Sequence, residues 1–198
     1  MIIVLPRQGL KHQLRNTSFI MSEIVLGIDP GSRITGYGIV KSSGGSLMYL
    51  GSGCINAGNG PIYERLLTIF QAVGTLVEQF KPTVMAIEET FLAKNVQSTV
   101  KLAEARGVAM VAAAQVGLKV YEYTPMQIKQ AVVGYGAAQK YQVQYMVQQI
   151  LKLSGTPQSD AADALACAIC HAYTAKVTTA MGEHISLASS VHGRYRRN

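Results

Sequence analysis

Four acidic side chains stand where divalent metal ions could be held. Asp29 closes the apolar run Leu26-Gly27-Ile28 and is followed by Pro30-Gly31. Glu88 closes a second run, Met85-Ala86-Ile87. Asp160 and Asp163 come three residues apart, shortly after Thr156-Pro157. Side chains three apart share one face of a helix. Carboxylate and water are the ligands that suit Mg²⁺ and Mn²⁺. Two such ions can clamp the attacking and leaving oxygens of a phosphodiester.

Each acid also has an ordinary use. An Asp before Pro-Gly often caps a turn. Glu88 and Glu89 are adjacent, so in a strand they point to opposite sides and only one can join Asp29. An acid pair in the first turns of a helix complements the helix dipole. That explains one acid better than two aimed at the same place. Four converging carboxylates without a cation would repel and their pKa values would rise. Metal removes that conflict. One ion would lower the pKa of an attacking water, and a second, roughly 3.5–4 Å away, would neutralise the leaving oxygen.

The acids are scarce in a basic chain. Eighteen Lys/Arg face eleven Asp/Glu, a formal charge of +7, which points to a polyanionic partner. Arg7, Lys11 and Arg15 lie near one end and Arg194, Arg196 and Arg197 near the other. At 198 residues, 48% apolar and 15% charged, the composition is that of one globular domain and excludes a disordered one. No apolar run approaches the ~18 residues of a membrane span. The opening Met1–Leu5 is too short for a signal-peptide core. Three cysteines fit a reducing compartment better than a disulfide framework. The expected location is the cytoplasm.

The elements that must position the acids follow from periodicity. Residues 1–20 lack sustained pattern and read as a disordered extension before a domain over 21–175, with a flexible basic tail over 176–198. Ile24–Asp29 reads as a buried strand. Gly36–Lys41 and Leu47–Cys54 read as strands joined by a Ser/Gly turn, giving an antiparallel meander. Pro61–Phe80 is an amphipathic helix, with Ile62, Leu66, Ile69, Val73, Leu76 and Phe80 at helical spacing. Thr83–Glu88 is short and apolar, a strand buried on both faces. Asn95–Val116 is a helix with small residues in its second half, expected to be either a dimer contact or the central packing helix. Lys119–Tyr123 is a strand, and Thr124-Pro125 caps a helix to about Val133. Gln139–Leu153 and Pro157–Ala175 are further helices. The expected fold is α/β, a mixed five-stranded sheet of three antiparallel then two parallel strands, with helices on both faces.

That order is similar to the ribonuclease H-like fold. Six strings carry a closer resemblance: GIDPGSRITGYG at 27–38, YLGSGCI at 49–55, AIEETF at 86–91, KLAEARGVA at 101–109, QIKQAVVGYGAAQK at 127–140 and QSDAADALA at 158–166. In this order, from Gly27 to about His171, the chain resembles the bacterial Holliday-junction resolvases of the RuvC family. The resemblance implies a homodimer that nicks a four-way DNA junction symmetrically, leaving 5′-phosphate and 3′-hydroxyl ends. It implies Asp29, Glu88, Asp160 and Asp163 as a catalytic tetrad holding two Mg²⁺ per subunit, with Mn²⁺ a substitute, and it selects Glu88 over Glu89. It implies DNA contacts at Lys129 and Lys140, and delivery of the junction by the RuvA–RuvB branch-migration complex. Phe91, on the loop after Glu88, is expected to stack on an unpaired base, worth ~1–3 kcal/mol. Lys94, Lys101 and Arg106 read equally as phosphate contacts or surface charge.

Some strings mislead. Cys167-Ala168-Ile169-Cys170-His171 matches the haem-attachment pattern C-x-x-C-H, but it lies in an Ala/Leu-rich helix with no export signal. The first glycine-containing turn also resembles the phosphate loop of actin-like kinases, which need two such domains and a far longer chain. The rival functions are a junction-binding protein without nuclease activity and a related nuclease acting on ribosomal RNA ends.

Overall fold

The computed structural model describes residues 22–89 and 96–180. The N-terminal extension, Phe91, Lys94 and the tail beyond residue 180 lie outside the described residues. Strands β1 (Glu23–Asp29), β2 (Ile34–Ser43) and β3 (Ser46–Asn56) form the meander. Helix α1 (Ile62–Phe80), strand β4 (Val84–Glu88), helix α2 (Val96–Gln115) and strand β5 (Lys119–Tyr123) follow. Helices α3 (Pro125–Val133), α4 (Lys140–Leu151) and α5 (Ser159–Ala180) complete the described chain. The sheet order is β3-β2-β1-β4-β5, with β1–β4 and β4–β5 parallel. The expected α/β, ribonuclease H-like sheet is therefore the one observed.

Strand periodicity sorts the core into two layers. Leu26, Ile28, Ile39, Met85 and Ile87 point to one face, where Ile69 and Val73 of α1 and Ala109 and Ala113 of α2 cover them. Val25, Val40, Val84 and Ala86 point to the other, beneath Leu165, Ala168 and Ile169 of α5 and the inner faces of α3 and α4. Thr124 Oγ1 accepts a hydrogen bond from Gln127 N at 3.2 Å, and Gln127 Oε1 accepts one from Thr124 N at 2.8 Å. This reciprocal capping begins α3 where Thr124-Pro125 predicts it.

Two expectations need correction. The central packing helix is α5, not α2. Gly27, Gly36 and Gly38 leave the inner face of β1 and β2 bare where α5 crosses. A methyl at Gly27 would overlap the Ala164 carbonyl oxygen, and one at Gly36 the Asp160 carbonyl oxygen. At Gly38 it would meet Leu165 Cδ2 at 2.7 Å. The glycines in the strands, rather than the small residues of α2, decide which helix comes closest. Helix α5 also runs to Ala180, past the limit near Ala175 that periodicity predicts, because Lys176 and its neighbours do not break a helix already nucleated by the buried segment.

Gly36 couples fold to site, since it lies under the backbone of Asp160. The variant Gly36→Ala is expected to lose about 3 kcal/mol of stability, read as a lowered urea midpoint. It should also weaken divalent-ion binding, because Asp160 must move.

Candidate metal and nucleic-acid site

The pleat of the strands decides which acids meet. In β1, Val25 and Asp29 share the face toward α5, and in β4 so do Val84, Ala86 and Glu88. Ile28 lies level with Ile87 across the parallel pair, so Asp29 and Glu88 emerge side by side. Glu89 points away, and its backbone N–H donates to the Tyr123 carbonyl at 2.8 Å. Opposite them, α5 starts above Gly36, which pairs with Asp29 across β1–β2. One carboxylate oxygen from each of Asp29, Asp160 and Asp163 falls within a 4.8 Å cluster. The site thus assembles three of the four predicted acids closely, with Glu88 beside them.

The electrostatics show what such a cluster lacks. Burial pushes the Asp29 carboxyl up to about 8, helped by Glu88, Asp163 and Asp160 and opposed by Lys140. Burial and then Asp163 push Glu88 up to about 6, against Lys129 and Lys140. Burial also raises Asp163, although Lys140 Nζ lies 2.6 Å from its Oδ2. Burial is the largest influence on Lys140 and disfavours its charge, but the bond to Asp163 and the charges of Asp163, Asp29 and Asp160 together raise its pKa. The two ammonium groups are too little for this charge. The donors are hard oxygens, partly buried and convergent, which fits a divalent cation such as Mg²⁺, Mn²⁺ or Ca²⁺.

Lys129 and Lys140 line a groove of about 200 Å³ together with Glu88 and Asp163. Helix α3 presents Lys129, and α4 begins at Lys140. Two side chains with open readings are now assigned. Arg106, 20% exposed, is no free phosphate contact: its guanidinium pairs with Glu122, and its Nε donates to the Glu88 carbonyl at 3.2 Å. It holds the end of β4, and only the fold reveals this, because Glu88 and Glu122 are distant in sequence. Lys101 is exposed and lines a separate cleft.

The Cys167–His171 string is structural. Both thiols are buried, and His171, 3% exposed, shares a 2.8 Å hydrogen bond between Nδ1 and the Tyr123 hydroxyl.

The raised acids have a consequence for stability. The Asp29 pKa rises from 3.8 unfolded to about 8 folded, so the folded state holds this proton more tightly. That contribution is complete below about pH 4 and is lost as pH rises through about 8. In EDTA, thermal melting is expected at a lower temperature at pH 8.5 than at pH 6, with divalent ions closing the gap. Asp29→Asn should raise metal-free stability at pH 8.5 by about 2 kcal/mol. A melting temperature that is unchanged between these pH values would contradict the electrostatic account.

Known proteins share this arrangement of chain. The sequence profile of the family described as "Crossover junction endodeoxyribonuclease RuvC" matches residues 25–171. A protein of that description from Vibrio cholerae serotype O1 is 54% identical over 173 residues, covering 87% of this chain and 99% of that protein. The structure of Thermus thermophilus RuvC is similar, with a TM-score of 0.72 and 37% identity over 79% of this chain and 97% of the other. The same Thermus protein in complex with a Holliday-junction substrate gives a TM-score of 0.74 at the same identity and coverage. The profile spans most of the chain and the sequence identity is high along its length: the chain belongs to the RuvC family of crossover junction endodeoxyribonucleases.

Proposed function

We propose that this protein resolves four-way DNA junctions by metal-dependent nicking, with Asp29, Glu88, Asp160 and Asp163 as the metal-holding catalytic set. The observation that carries the reading is the convergence of these acids beside Lys129 and Lys140 at one sheet edge. It is supported by membership of a family of crossover junction endodeoxyribonucleases and by likeness to a RuvC bound to a Holliday junction.

Bound Mg²⁺ ions, or Mn²⁺ in their place, supply an activated water and charge neutralisation at the leaving oxygen. The chain's own residues do the rest. Asp29 and Glu88 hold their side of the site through a paired sheet register, so their carboxylates cannot drift apart. Asp160 and Asp163 close the opposite side from a helix seated on glycines. Lys129 and Lys140 bind the phosphate whose bond is cut, and Lys140 also orients Asp163 and opposes the rise in its pKa that burial causes. The groove walls Pro125, Ile128 and Val143 displace water from the lysines and strengthen their attraction to phosphate. Phe91, three residues after Glu88 in the sequence, would contact an unstacked base at the crossover.

The protein acts as a homodimer in the cytoplasm, receiving junctions from RuvA–RuvB. Helix α2 offers the dimer surface. Val96 (75% exposed), Val100, Ala103, Gly107, Val111 and Ala114 follow one another at spacings of three and four along its outer face. Such a stripe suits a second copy of the same helix. Among the described residues, no helix is long and apolar enough to cross a membrane.

Mixed with a synthetic four-way junction and Mg²⁺, the protein is expected to give paired symmetric nicks with ligatable ends. EDTA should abolish them, and Asp29→Asn should reduce the rate by more than about a hundredfold. Tight junction binding without nicks in any divalent ion would support the junction-binding rival, and cleavage confined to structured RNA would support the ribosomal-RNA one. Val111→Asp is expected to shift sedimentation from dimer to monomer; a dimer that persists would move the interface elsewhere.

A further inference from the structure

A second basic site lies on the other side of the sheet edge. A cleft of about 730 Å³ opens between the turn after β1, the start of α1 and the first half of α2. Its cations are Arg33, Arg65 and Lys101. Arg33 and Lys101 are exposed at the rim. Arg65 is only 7% exposed.

Arg65 is the unusual member. A guanidinium stays charged at any working pH, and burying that charge is costly unless it is paired. Yet among the described residues no carboxylate pairs with it. One terminal nitrogen donates to the Ser32 carbonyl at 3.0 Å and approaches Ser32 Oγ at 3.4 Å. Its Nε is buried with no hydrogen-bond partner among the described residues. Ser32 supplies neutral oxygens only, so the positive charge is oriented but not neutralised. Arg106, by contrast, has its carboxylate in Glu122. The carboxylate of Glu64 lies beside Gly60, which lines the cleft.

We propose that this cleft binds a backbone phosphate of the DNA substrate, away from the bond that is cut. Guanidinium forks suit phosphate oxygens, and the cleft is open enough to admit a chain that continues past the site. Its position fits one strand or arm crossing the molecule. Ser32 and Arg33 follow Asp29 after the turn residues Pro30-Gly31, while Arg65 and Lys101 belong to the two helices on the face opposite α5. The lysine groove lies on the α5 face. Nucleic acid crossing the acidic edge meets Lys129 and Lys140 on one side and the arginine cleft on the other. The cleft thereby fixes the register of the strand without taking part in bond cleavage. This assignment rests on the junction-cutting reading above.

The test measures junction affinity by fluorescence anisotropy at several salt concentrations, with Ca²⁺ present. The proteins are wild type, Arg33→Gln/Lys101→Gln, and Arg65→Lys, each first checked for an unchanged melting temperature. The double variant alters only exposed rim side chains, so it remains informative if Arg65→Lys misfolds. Affinity is expected to fall roughly 5- to 50-fold in the double variant, and the slope of log K against log salt to shrink by about one for the phosphate released. Unchanged affinity and slope in folded variants, with wild type binding and nicking normally, would overturn the cleft alone. Wild type that neither binds nor nicks a junction would overturn the functional reading and the cleft with it. Inorganic phosphate perturbing the Arg65 Nε–H resonance at millimolar concentration, without any change in DNA affinity between variants, would assign the cleft to a small free anion instead.

Discussion

Helix α5 rests on β1 and β2 with no side chain between them at Gly27 and Gly36, and this close seating governs the rest of the molecule. Backbone carbonyls of Ala164 and Asp160 occupy the space where side chains would stand. The helix cannot slide or rotate without striking the strands, so its first turns are fixed above the end of β1. Asp160 and Asp163 therefore face Asp29 by rigid packing, not by flexible reach. The remaining layers follow: α3 and α4 fill the flank of α5 on the same sheet face, and α1 and α2 cover the opposite one.

The same packing places charge where the protein alone cannot balance it. Asp29 and Glu88 are pushed toward their protonated forms by burial and by neighbouring acids, Glu88 foremost on Asp29 and Asp163 on Glu88. A fold selected for stability alone would not gather acids beside a half-buried helix start. The strain is local, and a divalent cation is the ligand that relieves it, so binding and folding are coupled through these carboxylates. With one lysine bound to Asp163 and another in the same groove, the edge attracts both cations and phosphate, as phosphodiester chemistry on a polyanion requires.

Basic residues sort into distinct kinds of work. Lys129 and Lys140 border the acids. Arg33, Arg65 and Lys101 stand on the other face around an uncompensated charge. Arg106 serves the scaffold: it ties the Glu88 carbonyl to Glu122 and so joins α2 to the strands that present the site. Because α2 also carries the exposed apolar stripe, the helix proposed to meet a second copy is physically attached to the strand end that holds Glu88.

The sequence by itself determined the order and kind of elements, since apolar period and turn chemistry act locally. Thr124-Pro125 starts its helix where expected, and the five strands fall in their predicted order. The string around Asp29, the strand ending at Glu88 and the three-residue spacing of Asp160 and Asp163 were likewise legible, because each is a short-range signal. Choosing Glu88 over Glu89 on physical grounds needed the register between parallel strands, which pairs residues some sixty positions apart. The role of Arg106, the charge left open at Arg65 and the close seating of α5 on the strand glycines were decided only in three dimensions. They depend on which atoms become neighbours after packing, and a glycine in a strand does not announce which helix will lie upon it.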